Sequence, residues 1–196
     1  MYGESDGRLR ELDYETQKTS VPLLDAVVKE TLRLHPPLHS IMRYVKADLA
    51  VPATLAAPSS ARADASYVIP RGHYIMVAPG VSQVDPALWK SAESFDPHRW
   101  LDSATAAAMQ DSGEEQADFG FGMISTGANS PYLPFGAGRH RCIGEQFAYL
   151  QIGVIIATFV RAFKWQLESK FPDPDYQSMV VLPQKNGSKI TLTRRT

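Results

Sequence analysis

A single cysteine, Cys142, is found among 196 residues. That excludes an internal disulfide framework, and with it any sign of an oxidising compartment. It also excludes metal sites built from clustered cysteines, such as zinc knuckles and iron–sulfur centres. Charge of one sign is equally scarce: 20 basic residues against 21 acidic leave a net charge of −1. Such a balance gives no electrostatic footprint for nucleic acid or for an anionic membrane surface. Long hydrophobic runs are missing too. The most apolar stretch, residues 152–160, is far too short to span a bilayer. The polar opening MYGESDGRLRELDYETQ carries no signal-peptide core. No internal repeat appears. What is present is 44% hydrophobic content, enough for one ordinary domain with a core.

The lone cysteine sits in the most informative stretch of the chain, PFGAGRHRCIGEQ, residues 134–146. Phe135, Gly136 and Gly138 precede it in a loop whose glycines allow tight turning and close approach to something flat. Arg139, His140 and Arg141 place positive charge beside it, and an apolar helical run follows from Ile143. A sulfur at a helix N-terminus among cations is expected to ionise, and the thiolate is the form that binds a soft metal. A lone cysteine is more often a small buried hydrophobe. Here two arginines and a histidine would be costly to bury without an anionic partner.

This pattern, Phe-x-x-Gly-x-His-x-Cys-x-Gly, resembles the cysteine loop of the cytochromes P-450, the haem-thiolate monooxygenases. Haem offers an iron for the thiolate and two propionates for the cations. The resemblance implies haem b as cofactor, with Cys142 as the axial metal ligand and Phe135, Gly136, His140 and Ile143 against the macrocycle.

Earlier in the chain, residues 21–35 read as a helix that Ser20 can cap and whose first turn tolerates Pro22; Pro36 and Pro37 end it. Leu24, Val27, Val28, Thr31 and Leu32 recur at helical spacing, and Glu30 and Arg33 share a face. Such a pair is ordinarily a surface salt bridge of little value. The string KETLRLHPP, however, resembles the Glu-x-x-Arg helix of the same family, where the pair is buried and joined by a second arginine. FDPHRW supplies that candidate in Arg99. A Glu30–Arg33–Arg99 network is expected to be structural.

Residues 41–45 read as a strand. The resemblance implies that Arg43 pairs with a haem propionate, together with His140. It also implies that Leu38, His39, Ser40 and Ile41 lie along the substrate cavity. Residues 52–66 are rich in Ala, Pro and Ser, the composition of a solvated loop. A hairpin is expected next, Tyr67–Ile69 against residues 74–78 about a turn at Pro70-Arg71-Gly72, adding to the earlier strand. Residues 85–89 suggest a short helix, and residues 103–130 a long surface loop. The helix after the cysteine is apolar nearly all round and should be buried on most sides. Residues 164–168 read as a strand, and residues 179–182 and 188–193 as two more flanking a turn. Met179 and Val180, in DYQSMVVLP, lie at a hairpin tip that could reach a substrate cavity or simply fill core.

KETLRLHPPLHSIMR, FDPHRW, NSPYLPFGAGRHRCIGEQFAYLQIG and DYQSMVVLP together resemble one branch of the family, the fungal sterol 14α-demethylases. The implied fold is mainly α with small β-sheets, and the implied chain a single partial domain, the C-terminal haem-binding portion. The implied reaction is dioxygen-dependent removal of the sterol 14α-methyl group, as formate, in ergosterol biosynthesis. Electrons would come from NADPH-cytochrome P-450 reductase, docking where Arg139 and Arg141 are exposed. Full-length members are expected on the cytosolic face of the endoplasmic reticulum membrane. The family's distal helix and N-terminal anchor do not appear in these residues, so no catalytic residue is assigned and activity of the chain alone is not expected. Leu38, Ile41, Met179 and Val180 are the apolar candidates for a fused-ring substrate. A non-catalytic haem-binding or interaction remnant is the alternative. A cysteine nucleophile of the phosphatase kind would want an arginine soon after Cys142, and IGEQFAYLQIG has none.

Overall fold

A computed structural model describes residues 21–51, 67–101, 131–175, 180–183 and 189–195. The chain divides into two compact units, one spanning Ser40–Ala78 and one formed by Met1–His39 with Pro79–Thr196.

In the larger unit, helix α1 runs Pro22–Leu34. Pro22 occupies the first turn, where its missing N–H costs nothing. Val21 takes the cap position without a side-chain hydrogen bond, and Ser20 lies outside the described residues. His35 N donates to Thr31 O, and Pro36 and Pro37 then prevent continuation. The buried face carries Ala26, Val28, Glu30, Leu32 and Arg33. Thr31, expected on the apolar stripe, is instead exposed and returns its hydroxyl to Val27 O. Burial of the ion pair thus turns the helix slightly from its purely apolar spacing.

Helix α2, Pro79–Ser82, is a single short turn, and a 3₁₀ turn covers Pro97–Trp100. The short helix expected at residues 85–89 is a set of turns held by Asp85, whose carbonyl accepts from Trp89 N and whose carboxylate accepts from Ala87 N. An aspartate that bonds its own following backbone favours a turn over a helix. Helix α3, Glu145–Ala162, follows the cysteine. Its expected burial on most sides is not found: Glu145, Tyr149 and Gly153 are its buried residues, while Phe147, Ile155 and Phe159 are exposed. Val154 and Val160 are exposed as well, while Ile152 and Ile156 are partly buried.

The core joins α1 to α3. Val28, Leu32, Trp89, Ala92, Tyr132 and Tyr149 form it, with Trp100, Phe135, Ile152 and Ile156 packed against it. Its aromatic members touch in series, Trp89 to Trp100, Trp100 to Tyr132, and Tyr149 to Phe135.

Further strands in this unit are β5 (Phe163–Leu167), β6 (Pro174–Asp175), β7 (Leu182–Pro183) and β8 (Ile190–Arg194). β5 pairs antiparallel with β8, and β6 with β7. The last two strands therefore do not form the hairpin expected of them; each finds its partner further back in the chain. The turn between them, residues 184–187, lies outside the described residues.

The smaller unit is a pair of nested ladders. β1 (Ile41–Tyr44) pairs with β4 (Tyr74–Val77), and β2 (Leu49–Val51) with β3 (Tyr67–Ile69). β3 was expected to pair with β4 and does not. Pro70 lacks an N–H for the ladder, and Gly72 takes a φ of +91°, so the chain steps between ladders at that point. Val45 and His73 bridge the step. Strand β2 is too short and too plain in composition for its pattern to declare it.

Candidate functional site

The cysteine loop is closed by its own backbone. Gly136 N donates to Leu133 O, Arg141 N to Gly138 O at 3.1 Å, and Cys142 N to Phe135 O at 2.9 Å. Gly136 and Gly138 have φ values of +74° and +64°, a region that other residues enter at a cost. Nothing crowds a Cβ at Gly138, so backbone conformation is what requires glycine there. The chain turns through a 3₁₀ segment, Gly138–His140, and delivers Cys142 three residues ahead of α3.

Cys142 is exposed and free, not a buried hydrophobe. Ile143 beside it is 88% exposed, and Phe147, one helical turn on, is also open. Sulfur and apolar surface are thus presented together. No group of three or more His, Cys, Asp or Glu able to hold a metal ion occurs among the described residues. Among the described residues Cys142 has no such companions, and an exposed sulfur beside apolar surface suits a metal that brings its other ligands with it, as in a macrocycle. The residues fit haem on those grounds.

Arg139 and His140 are exposed. Arg141 is not left needing an external anion: its Nε donates to Glu145 Oε2 at 2.5 Å. The expected need for an anionic partner is met for this residue within the protein. Glu145 is buried.

The approach to the loop is held from below. Glu30 and Arg33 are both fully buried. Arg33 Nε and Nη2 meet the two Glu30 oxygens at 2.9 Å each, a fork-to-carboxylate match. Arg33 Nη1 donates to Gln83 O and Ala92 O, and its guanidinium lies over Trp89. Arg99 Nε, the Asp96 backbone N–H and the Trp100 indole complete the ring of donors on Glu30. Burial pushes the Glu30 carboxyl pKa up. Hydrogen bonds from Arg33, Asp96 N–H and Trp100, with the Arg33 charge, outweigh it and hold the group below its ordinary 4.5.

Gln83 escaped the sequence reading. It is fully buried, donates from Nε2 to Leu32 O and Arg33 O, and accepts from Leu133 N through Oε1 at 2.8 Å. It ties the end of α1 to the segment entering the cysteine loop. Tyr132 and Tyr149, whose hydroxyls meet at 3.0 Å, were missed as well. Burial, first of all, raises the pKa of both. A buried glutamine or tyrosine pair leaves no periodic signal in the sequence.

Leu38 is exposed and His39 half-buried. Val181 N donates to Pro37 O at 2.8 Å, which brings Val180 to the neighbourhood of Leu38. Met179 lies outside the described residues. Ser40, Ile41 and Arg43 belong to the smaller unit, where Arg43 is exposed on β1 and donates to Met42 O.

The cytochrome P-450 family model matches residues 6–190. The chain belongs to the cytochrome P-450 family. This family membership implies a haem cofactor. Lanosterol 14-alpha demethylase of Mycosarcoma maydis is 81% identical over the whole chain, which covers 35% of that relative. The enzyme of the same name from Candida tropicalis is 48% identical over 98% of the chain, again 35% of the relative. This P-450 chain thus spans about a third of the length of the curated relatives it matches. A cyanobacterial CYP120A1 solved with bound retinoic acid superposes with a TM-score of 0.67 over 94% of the chain at 23% identity, covering 35% of that structure. That likeness shows the fold, helices with small antiparallel sheets as in part of a P-450. No described helix is long and apolar enough to cross a membrane.

Proposed function

We propose that this chain is the haem-binding portion of a sterol 14α-demethylase. The observation that carries this reading is the 81% identity to a lanosterol 14-alpha demethylase over the whole chain, the cysteine loop included. The exposed sulfur and the glycine-built loop support it.

Cys142 would hold haem b through its thiolate, with Phe135, Gly136 and Ile143 against the macrocycle and His140 and Arg43 on its propionates. When bound, the haem supplies dioxygen activation, which the electron-rich thiolate promotes. The protein's own contribution is to hold the sulfur on a rigid loop, since a ligand fixed by its supporting shell needs no reorganisation. Leu38, His39, Ser40, Ile41, Met179 and Val180 would line the sterol cavity. Glu30, Arg33 and Arg99 would act structurally, through Gln83 and Leu133, on the loop. Exposed Arg139 is the candidate contact for an NADPH-dependent cytochrome P-450 reductase at the endoplasmic reticulum membrane.

The test is a carbon-monoxide difference spectrum of the reduced, haem-loaded, full-length protein, followed by sterol addition. The expected result is the red-shifted Soret band peculiar to a thiolate ligand, abolished in Cys142→Ser, and a spectral response to a 14α-methyl sterol. A histidine-type band, or the same spectrum in Cys142→Ser, overturns the assignment of the ligand. A thiolate band with no response to 14α-methyl sterols overturns the substrate.

A further inference from the structure

Glu145 is 3% exposed, yet Oε1 has no hydrogen-bond partner among the described residues. Its other oxygen is held by Arg141, whose side chain keeps 27% of its surface. A buried carboxylate with one oxygen unsatisfied is an expensive arrangement and needs a reason. Stability does not supply one, because an apolar residue at this first-turn position of α3 would avoid the cost.

The two residues bracket the cysteine: Arg141 immediately precedes it and Glu145 stands three positions after it. Glu145 N also reaches Cys142 O at 3.4 Å, while Cys142 N is tied back to Phe135 O. Gly144, inside the bracket, packs its α-carbon side against the sulfur, where an added Cβ would lie 3.7 Å from Sγ. The ion pair therefore closes a ring of chain, residues 141–145, around the exposed Cys142. It also sets a contacting pair of opposite charges, a buried anion and a partly exposed cation, on the residues that flank Cys142 in the chain, where burial weakens screening.

We propose that Arg141 and Glu145 are positioning residues for the Cys142 thiolate, clamping its direction and setting the field around it through opposed charges. This rests on the reading of Cys142 as the haem ligand. In a one-electron reduction the iron site gains negative charge. A neighbouring carboxylate opposes that gain and a neighbouring guanidinium favours it. Loss of each partner must then move the reduction potential in opposite directions, which a merely structural clamp would not do.

The experiment uses the haem-loaded, full-length protein, with Glu145→Gln, Arg141→Gln and the exchanged pair Arg141→Glu/Glu145→Arg. Each is examined by the reduced carbon-monoxide spectrum and by redox titration. Glu145→Gln is expected to raise the haem potential and Arg141→Gln to lower it, both with part of the thiolate band lost. The exchanged pair should recover the band. If Glu145→Gln does not fold, the potential and band of Arg141→Gln, altered at the more accessible partner, decide the matter. Potentials that move in the same direction, or not at all, overturn the proposal. So does Arg141→Gln with the parent's band and potential. A parent protein without a thiolate band overturns the reading of Cys142 itself, and is told apart because it fails before any variant is compared.

Discussion

Glu30 and Arg99 lie 69 positions apart in the chain, and Arg99 Nε donates to Glu30 Oε1 across 3.1 Å. Three donors converge on that one oxygen, Arg33 Nη2, Asp96 N and Arg99 Nε, while Oε2 takes Arg33 Nε and the Trp100 indole. The carboxylate is the hub on which α1 and the Pro97–Trp100 turn are fastened. Its cations are not equivalent. Arg33 is sealed and also satisfies the carbonyls of Gln83 and Ala92, whereas Arg99 keeps a margin of surface.

That difference predicts a hierarchy. Arg33→Met removes both fork bonds from the buried Glu30 carboxylate and takes the donor from the Gln83 and Ala92 carbonyls, a change expected to cost ~3–5 kcal/mol. Arg99→Met removes one charged hydrogen bond and leaves the fork intact, with an expected cost of ~1.5–3 kcal/mol. Arg33→Lys should resemble Arg33→Met more than the parent, because one ammonium cannot reach the positions the planar fork serves. Urea denaturation midpoints check the order, and an Arg99 variant as damaging as the Arg33 variant would contradict it.

The same hub fixes an acid limit. The Glu30 carboxyl is held below 4.5 in the folded chain, so its contribution is fully present above the unfolded value and is lost as pH falls through the folded one. Stability is therefore expected to decline as pH drops below 4.5. In Glu30→Gln the absolute stability should be lower at neutral pH and the acid decline shallower. Chemical denaturation of both proteins between neutral pH and strong acid measures the difference in slope.

How far the sequence spoke depended on the kind of interaction. Helix α1, strand β1 and helix α3 announced themselves through periodicity and through Pro22, Pro36 and Pro37. Gly136 and Gly138 pointed to the tight loop that their positive φ values show. Strand pairing was not legible: β3 and β4 carry equally good strand composition, and only Pro70 and Gly72 hint that the ladder breaks between them. Burial of α3 was misread because an apolar surface says what could be covered, not what covers it. Gln83 and the Tyr132–Tyr149 contact were invisible because each is defined by partners about 50 and 17 positions away.

Gly80 offers a test of packing beside a candidate cavity residue. A Cβ there would overlap the His39 ring, lying 2.9 Å from Nε2 and closer still to Cδ2, and Gly80 N is bonded to His39 O. Gly80→Ala should force the imidazole from its place and cost ~1–3 kcal/mol of stability, the usual penalty of overpacking. In a His39→Ala background the clash is gone, and Gly80→Ala should become neutral or mildly stabilising by restricting the unfolded chain. A double-mutant cycle with denaturation midpoints reads the coupling. Additive effects would show that the two residues do not meet as described.

The buried tyrosines set an alkaline limit. Burial raises the pKa of Tyr132, reinforced by the charge and hydrogen bond of Tyr149; burial likewise raises Tyr149, reinforced by the Glu145 charge. Both phenols ordinarily ionise at 10.0, and in the folded chain both resist doing so. Between those limits the folded state binds more protons than the unfolded one, so stability falls with rising pH. The contribution is intact below pH 10 and drains away above it, with a slope approaching two protons while both groups remain protonated only in the folded state. Tyr149→Phe should halve that slope and cost ~0.5–1.5 kcal/mol at neutral pH through the lost hydroxyl contact. Ultraviolet titration of phenolate absorbance, run beside denaturation at each pH, separates the two readings. Because the chain has eight tyrosines, several of them exposed, the phenolate signal of the pair is read as the difference between the parent and Tyr149→Phe. A difference that develops near pH 10 in the still-folded chain would contradict the burial of this pair, whereas one that develops only together with unfolding is the expected result.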